Sequence, residues 1–416
     1  MAKDSTVTVD GATSVLAGHG DILGYSGDTV GTVNLQNGGT LYNDATADQK
    51  AHITVGAAIN MNGGYITADP NAQGSDTYGN YVFDNAINVT GGTDNEISAN
   101  QITLRQYAGT PNDAGGKITV ADGAKLTISS LIKDPNGYFV PLVKQGAGEL
   151  VLTGENTYST GTTISEGTLT LAGAGTTGAS TVAIGDNGTL EFYVTSNDAP
   201  KQVNVANANA ISGTGKIVKS GTGVLKINNE NADGTVSANS FAVNAGELDF
   251  KGQYNGDLIV KKGSTLSPGN SVGDLTVYGN VTIDPEATGL FEFSPYNENN
   301  LQYDTLTVND GAFVIDENSI IKLFFEGGNE DAKLWAAEGS EYRLVSDEGF
   351  DSDIPKLGNY LSWFDLEGRD DGLWLIGLYA PGPGPEPGSG VPEPSTWALL
   401  ILGVAGLMYW RKRKNS

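Results

Sequence analysis

The chain has 416 residues, and 49 acidic against 23 basic side chains give it a formal net charge of −26. Such a chain repels phosphate groups, which argues against nucleic acid and anionic lipid surfaces and leaves divalent cations or basic molecules as compatible partners. With no cysteine and only His19 and His52, disulfides and thiolate chemistry are excluded, and a zinc site or a Ser/His/Asp triad has almost no residues available.

The opening stretch, MAKDSTVTVDGATSVLAGHG, contains no apolar run of the kind that directs export. We therefore expect either that the chain is truncated or starts too late, or that the protein stays inside the cell.

From the first residues to about Ile283, short stretches alternate apolar and polar side chains and are separated by Gly, Asn and Asp, as in GKITVADGAKLTIS and TVAIGDNGTLEFYV. This period of two predicts β-strands and an all-β fold. A unit of polar-Gly-x-apolar-x-apolar recurs at Gly123, Gly167, Gly188, Gly246 and Gly311. Its spacing falls loosely near multiples of about 20 residues, which favours a parallel β-helix, a rod of stacked coils.

The segment LVKQGAGELVLTGENTYSTGTTISEGTLTLAG, Leu142 to Gly173, closely resembles the autotransporter-associated β-strand repeat of bacterial passenger domains. A weaker copy begins at IVKSGTGVLKI, and GSTLSPGNSVGDLTVYGNVTI resembles a segment that often follows in such proteins. The resemblance implies a right-handed parallel β-helix. The residues that carry the first copy are Lys144, Gly146, Gly148, Leu150, Leu152, Gly154, Asn156, Thr157, Tyr158, Gly161, Thr162, Thr163, Ile164, Gly167 and Leu169.

We therefore predict a passenger-like β-helical body over residues 1–289 and a β-rich capping module over 290–379, where aromatic residues are more frequent. A Pro/Gly linker follows at 380–390, and the remaining residues, 391–416, form a separate tail. After Ile283 there is no room for the dozen or so strands of a membrane β-barrel, so self-export through an outer membrane is not expected.

The tail combines three parts in order: Pro392, Glu393, Pro394 and Ser395; an apolar run from Trp397 to Trp410; and the cations Arg411, Lys412, Arg413 and Lys414. A helix of 14 residues rises about 21 Å, short of a bilayer core of about 30 Å, so spanning is marginal. Aromatic rings at both ends suit the two interfaces, and the cations keep the C-terminus cytoplasmic. The predicted membrane-anchor side chains are Trp397, Leu399, Leu400, Ile401, Leu402, Val404, Leu407, Tyr409 and Trp410.

This arrangement resembles the PEP-CTERM sorting signal. The resemblance implies recognition and cleavage by exosortase, a membrane enzyme of Gram-negative bacteria that make extracellular polysaccharide. It also implies a cleaved signal peptide upstream, so we expect that the start site of this sequence is placed too late. An anchor that is never cut is the alternative for the tail.

Three acidic stretches, Glu326–Lys333, Ser346–Asp353 and Glu367–Gly372, show no ligand spacing typical of a metal site, and we interpret them as solvated turns. Gly146-Ala147-Gly148 and Gly221-Thr222-Gly223 are predicted to be turns between coils rather than phosphate loops. No catalytic or metal-binding residue is predicted; no cofactor is expected, with Ca²⁺ left open.

The sequence therefore predicts a non-enzymatic, exported protein, held first at the inner membrane and then displayed at the cell surface or in the extracellular matrix. Its role would be structural or adhesive, with exopolysaccharide as a partner. The alternative is a secreted carbohydrate-active β-helix enzyme, a polysaccharide lyase or hydrolase. A fragment of a conventional autotransporter is a third reading.

Overall fold

The computed structural model of the chain describes residues 5–20, 22–23, 25–26, 29–46, 49–72, 74–76, 79–106, 114–134, 140–205, 210–229, 236–269, 271–294, 302–328, 332–333, 335–360 and 362–378. Within these ranges the protein is all-β, as predicted. No helix there has the length and apolar character needed to cross a bilayer.

The first half of the described chain contains β1 Thr6–Asp10, β2 Val15–Gly18, β3 Ile22–Leu23, β4 Tyr25–Ser26, β5 Thr29–Val30, β6 Thr32–Gln36, β7 Thr40–Asn43, β8 Ile53–Val55, β9 Ala58–Asn62, β10 Tyr65–Ala68, β11 Tyr81–Phe83, β12 Ile87–Gly91, β13 Asn95–Ile97, β14 Gln101–Leu104, β15 Lys117–Val120, β16 Lys125–Ile128, β17 Leu131–Lys133, β18 Leu142–Gln145, β19 Glu149–Leu152, β20 Thr162–Ala172 and β21 Val182–Tyr193.

The second half contains β22 Lys201–Asn204, β23 Ile211–Gly213, β24 Lys216–Ser220, β25 Val224–Asn229, β26 Ser237–Val243, β27 Glu247–Val260, β28 Thr265–Pro268, β29 Asp274–Tyr278, β30 Val281–Ile283, β31 Thr288–Phe293, β32 Thr305–Asn309, β33 Phe313–Ile315, β34 Ile320–Phe325, β35 Glu341–Ser346, β36 Lys356–Leu357, β37 Phe364–Arg369 and β38 Gly372–Gly377.

Most strands pair in parallel with strands one coil earlier and one coil later, and not with their chain neighbours. One sheet joins 31 strands, and a second joins β17, β14, β11, β8 and β3. In the first sheet β6 pairs with β1 and β9, and β9 pairs with β12, all in parallel. This large, mostly parallel arrangement is consistent with a parallel β-helix.

The core lies between the walls of the stack and consists of columns of side chains that repeat at equivalent positions. Val33, Ile59, Ile87 and Ile118 are register partners on successive strands, and each is at most 1% exposed. The residues that flank them on each strand point outward and are mostly polar. The period-two alternation seen in the sequence therefore separates an apolar interior from a polar surface.

The length of chain between register partners varies along the stack. Leu142 faces Thr162 on the next coil, an interval that agrees with the predicted period near the matched repeat. Thr119 by contrast faces Asn88 of the preceding coil, and the chain between these two partners is clearly longer than the predicted period. The extra residues lie in the connections between strands, because the strand registers themselves continue from coil to coil.

The C-terminal end of the described chain is antiparallel. β38 pairs antiparallel with both β35 and β37, whereas β35 also continues the parallel ladder through β32. Aromatic rings pack beneath this end: Phe293 lies 4.8 Å from Phe325 and 5.0 Å from Trp335 between ring centroids. The aromatic enrichment noted in the sequence thus belongs to the core of this end.

Candidate functional site

The predicted sorting motif Pro392 to Ser395, the predicted membrane anchor Trp397 to Trp410 and the cations Arg411 to Lys414 lie outside the described residues. The Pro/Gly linker also lies outside them, since the description ends at residue 378. Their roles rest on the sequence alone and stay predictions.

The repeat signature in the body centres on a buried lysine. Lys144 is 0% exposed, and its Nζ donates hydrogen bonds to the carbonyl oxygens of Gln145, Gly146 and Glu166 at 3.0, 2.6 and 3.0 Å. Gln145 ends β18 and Gly146 begins the turn that follows it, whereas Glu166 lies one coil later. One ammonium group therefore ties two consecutive coils together, and burial lowers the pKa of Lys144 to about 8.

Lys219 makes the same arrangement in the weaker copy of the repeat. Its Nζ donates to the carbonyl oxygens of Ser220 at 2.8 Å and Gly221 at 2.7 Å in its own coil, and to Ala245 of the next coil at 3.0 Å. Burial lowers its pKa to about 8 as well. The two copies thus share a contact pattern, which confirms that the fair sequence match at Lys219 reflects the same local structure.

The glycines of the signature allow the coils to approach at these corners. A Cβ at Gly148 would lie 2.1 Å from the carbonyl oxygen of Ala121 in the preceding coil, and one at Gly167 would lie 2.4 Å from that of Gly146. Gly146 and Gly221 have φ of 74° and 72°, a left-handed conformation that suits glycine. The predicted turns at both Gly-x-Gly segments are therefore confirmed.

Asn156 and Tyr158 complete the first repeat. The Oδ1 of Asn156 accepts a bond of 2.8 Å from the Ile132 N–H, and its Nδ2 donates over 2.7 Å to the Thr176 carbonyl oxygen. The hydroxyl groups of Tyr158 and Thr162 lie 2.7 Å apart. These hydrogen bonds join neighbouring coils or hold a turn in place. The signature residues that form them therefore have a structural role.

A group of carboxyl side chains lies along β27 and the strands stacked on it. Asp249 pairs with Lys226 at 2.6 Å, and burial together with Asp249 raises the pKa of Glu247 to about 7. Asp304 accepts bonds from the N–H groups of Gly273 and Glu292 at 2.9 and 2.8 Å, yet burial raises its pKa to about 8. Sequence reasoning missed this group because its members come from separate coils.

The interpretation of the acidic stretches as solvated turns is wrong in part, because Glu367 to Arg369 belongs to β37 and Asp347 is only 5% exposed. Glu367 and Glu341 both bind Arg369, whose guanidinium carbon lies 4.6 Å from the ring centroid of Trp374. Asp347 accepts a bond of 3.0 Å from the Phe313 N–H. Across the described parts of the chain, no group of three or more acidic or histidine side chains has the geometry to hold a metal ion.

A cavity of about 470 Å³ lies beside β22, between that strand and the segment 173–178. Leu171, Leu190 and Phe192 line its inner side. At its edge, Lys201 Nζ donates to the carbonyl oxygens of Gly173 and Gly175 at 3.0 and 2.6 Å. Like Lys144, Lys201 therefore bridges two levels of the stack.

Comparison with known families supports both resemblances. A model of the passenger-associated-transport-repeat matches residues 142–171, the segment built around Lys144. A model of the PEP-CTERM protein-sorting motif matches residues 390–414. The chain thus combines a passenger-type repeat within a mostly parallel β-stack with a C-terminal sorting motif, and this combination indicates an exported protein.

The chain is also similar to the adhesin BmaC autotransporter of Brucella suis biovar 1 (strain 1330). The two are 32% identical over 222 residues, which cover 51% of this chain and 6% of the adhesin. The similarity therefore concerns a small part of a much longer protein.

Proposed function

We propose that this protein is a non-enzymatic structural or adhesive component of the cell surface or extracellular matrix, with a right-handed parallel β-helix as its body. One observation carries this proposal: the chain has both a passenger-associated repeat and a sorting motif. The signature residues of the repeat connect neighbouring coils. The similarity to an autotransporter adhesin supports an adhesive role.

The tail supplies the route. The motif at Pro392 to Ser395 is recognised by an exosortase-type membrane protease, while the apolar run from Trp397 to Trp410 holds the protein in the inner membrane. The four cations that follow stay cytoplasmic. Cleavage then releases the acidic body to the surface or matrix of a polysaccharide-producing Gram-negative bacterium.

The body acts through repeated weak contacts. A stack of coils presents equivalent positions at about 4.8 Å intervals, so a polymer or a neighbouring body can be held at many points at once. Linked weak contacts raise the overall affinity far above that of one contact.

Processing is tested in the native host with the full-length protein. The double substitution Pro392→Ala/Pro394→Ala should leave the tail attached and the protein in the inner membrane fraction, whereas the natural protein should reach the surface with its tail removed. The chain offers a matched control in the earlier Pro-Glu-Pro: Pro385→Ala/Pro387→Ala should be processed normally.

Intact mass and accessibility to added protease on whole cells report the two outcomes. A natural protein that keeps residues 397–416 and stays in the cytosol would contradict the proposal. Equal loss of processing in both double variants would contradict the assignment of the motif to Pro392.

The second candidate is a secreted carbohydrate-active enzyme, favoured by the half-buried carboxyl groups of Glu247 and Glu292, whose pKa values burial raises. Glycoside hydrolases use a carboxylic acid of raised pKa as the proton donor, and Glu247 is the candidate for that role. Turnover of a polysaccharide that is abolished by Glu247→Gln would favour this candidate over the structural role.

A further inference from the structure

One face of the stack carries a continuous column of uncharged polar side chains. On β1, β6, β9, β12, β15 and β18 the residues at the same outward position are register partners from one strand to the next. We call this column the amide ladder; its members are Thr8, Asn34, Asn60, Asn88, Thr119 and Gln145. Five steps of about 4.8 Å give it a length of about 24 Å.

The amides of the ladder are hydrogen-bonded to one another along the stack. Asn34 Nδ2 donates to Thr8 Oγ1 at 3.3 Å, Asn60 Nδ2 to Asn34 Oδ1 at 3.0 Å, and Asn88 Nδ2 to Asn60 Oδ1 at 3.1 Å. These bonds fix the orientation of the Asn34, Asn60 and Asn88 amides before any ligand arrives. A group ordered in advance loses less entropy on binding.

The bonds within the ladder leave part of each amide available to a ligand. An asparagine side chain has two N–H donors and a carbonyl oxygen with two lone pairs. At Asn60, within the described chain, the ladder uses one donor and one lone pair. One N–H and one lone pair therefore remain at each such step, on an outward, half-buried side chain.

The charge of this face differs from that of the whole protein. The net charge is −26, but the six strands contain only Asp10, Lys117 and the buried Lys144 as charged residues. Asp10 accepts bonds from Gln36 and Asn37 at 2.9 and 2.8 Å at the edge of the face. Apart from the buried Lys144, Asp10 and the half-buried Lys117 give the six strands one charge of each sign, so this face offers little net attraction to an anionic polymer, and the remainder of the protein repels one.

We propose that the amide ladder binds an extended chain of an uncharged polysaccharide that lies along the axis of the stack. Each sugar of such a chain carries hydroxyl groups that both donate and accept, and Asn34 and Asn60 each offer one donor and one acceptor. None of the six members is apolar, so the face does not suit an apolar protein surface. This inference rests on the proposed extracellular role and names the contact face and the partner chemistry.

The inference is tested with the purified full-length protein by electrophoresis through native gels that contain a polymer. The panel holds uncharged polymers, namely hydroxyethyl cellulose, dextran, mannan and starch, and alginate as the anionic comparison. The natural protein should be retarded by at least one uncharged polymer, without loss on addition of NaCl, and not by alginate. Retardation by alginate alone, or by no polymer, would overturn the inference.

Substitution locates the site. Asn60→Val keeps a good strand-forming residue and removes the amide, and the triple variant Asn34→Val/Asn60→Val/Asn88→Val removes the ladder. We expect about tenfold or greater weakening in the triple variant, since it loses the hydrogen bonds of three amides to the polymer. The control is Asn228→Val, at a half-buried outward position of β25 in a different column of strands, which should bind as the natural protein does.

Thermal unfolding of each variant separates binding from stacking. A triple variant that remains folded and is retarded like the natural protein would overturn the inference, because the ladder would then serve only to stack coils. Should the triple variant unfold, the folded single variant Asn60→Val decides in the same way. If the protein is processed and displayed normally but binds no polymer, the proposed function stands and only the inference of a polysaccharide-binding face is refuted.

Discussion

Lys144 lies in a column of isoleucines, with Ile118 as its register partner on one side and Ile164 on the other. A charged side chain is tolerated there because three carbonyl oxygens accept hydrogen bonds from its ammonium group. The sequence identified Lys144 as part of a repeat, but not as buried. Its burial could not be predicted from the pattern, because the third acceptor, Glu166, comes from the next coil.

Replacing this lysine should be costly. Lys144→Met keeps the length of the side chain but leaves the three carbonyl groups without their donor, and we expect the free energy of unfolding to fall by about 2–4 kcal/mol. Urea denaturation of the purified protein measures this change in the free energy of unfolding. Lys125→Met is the control, because Lys125 is 40% exposed and pairs with Glu149 at 3.3 Å; its loss should cost less than about 1 kcal/mol. Equal losses of stability in the two variants would show that the hydrogen bonds of Lys144 do not stabilise the fold.

The raised pKa of Glu247 predicts that the stability of the protein depends on pH. Burial, followed by the hydrogen bond and charge of Asp249, raises its pKa from 4.5 to about 7. The folded state therefore holds a proton that the unfolded state has released. The contribution to stability is complete below pH 4.5 and is lost as pH rises towards 7. Lys226 opposes this shift, and Glu292 adds to it.

The side chain in Glu247→Gln cannot ionise. Between pH 4.5 and 7, the free energy of unfolding of this variant should therefore fall by about 1–2 kcal/mol less than that of the natural protein, after allowance for solvent screening. Urea denaturation at several pH values measures the slope. Glu338→Gln removes an exposed carboxylate and serves as the control. A Glu247→Gln slope that matches both the control and the natural protein would show that Glu247 does not hold the proton.

At the scale of elements, strand type was predictable and strand partners were not. Alternation in stretches such as GKITVADGAKLTIS predicts the strands now seen as β15 and β16. Their partners β12 and β13 lie farther back along the chain than the predicted period allows. The difference arises in the connections, whose length no alternation pattern constrains. The antiparallel pairing of β38 with β35 and β37 likewise could not be predicted from the composition.

The antiparallel end provides a prediction about a single element. Leu375 of β38 is fully buried and faces Tyr342 of β35 and Leu366 of β37. Leu375→Ala should lower the free energy of unfolding by about 2–5 kcal/mol through the cavity it leaves. Leu378, which is 47% exposed, is the matched control, and Leu378→Ala should change stability by no more than about 0.5 kcal/mol. Comparable effects in urea denaturation would show that β38 does not close this end.

At the scale of the whole molecule, the all-β class, the predominance of parallel stacking and both family resemblances followed from the sequence. They did so because turn glycines, alternation and the tail are local features. The domain boundaries, including the one predicted at residues 289 and 290, stay predictions; parallel pairing continues beyond that point through β34 and β36. The amide ladder escaped sequence reasoning because consecutive members come from separate coils at unequal intervals, and they share a column only once the register is known.

The unequal spacing of register partners has a consequence for how such proteins diversify. Every strand pairs only with the strand directly on either side of it. A longer connection between strands is therefore accommodated at the surface without any change in the interior. Duplication of one unit would add a storey and lengthen the polar face by a single step, while the remaining storeys kept their contacts. A lineage built on this plan can therefore adjust reach and valency by recombination, with little need for new packing solutions.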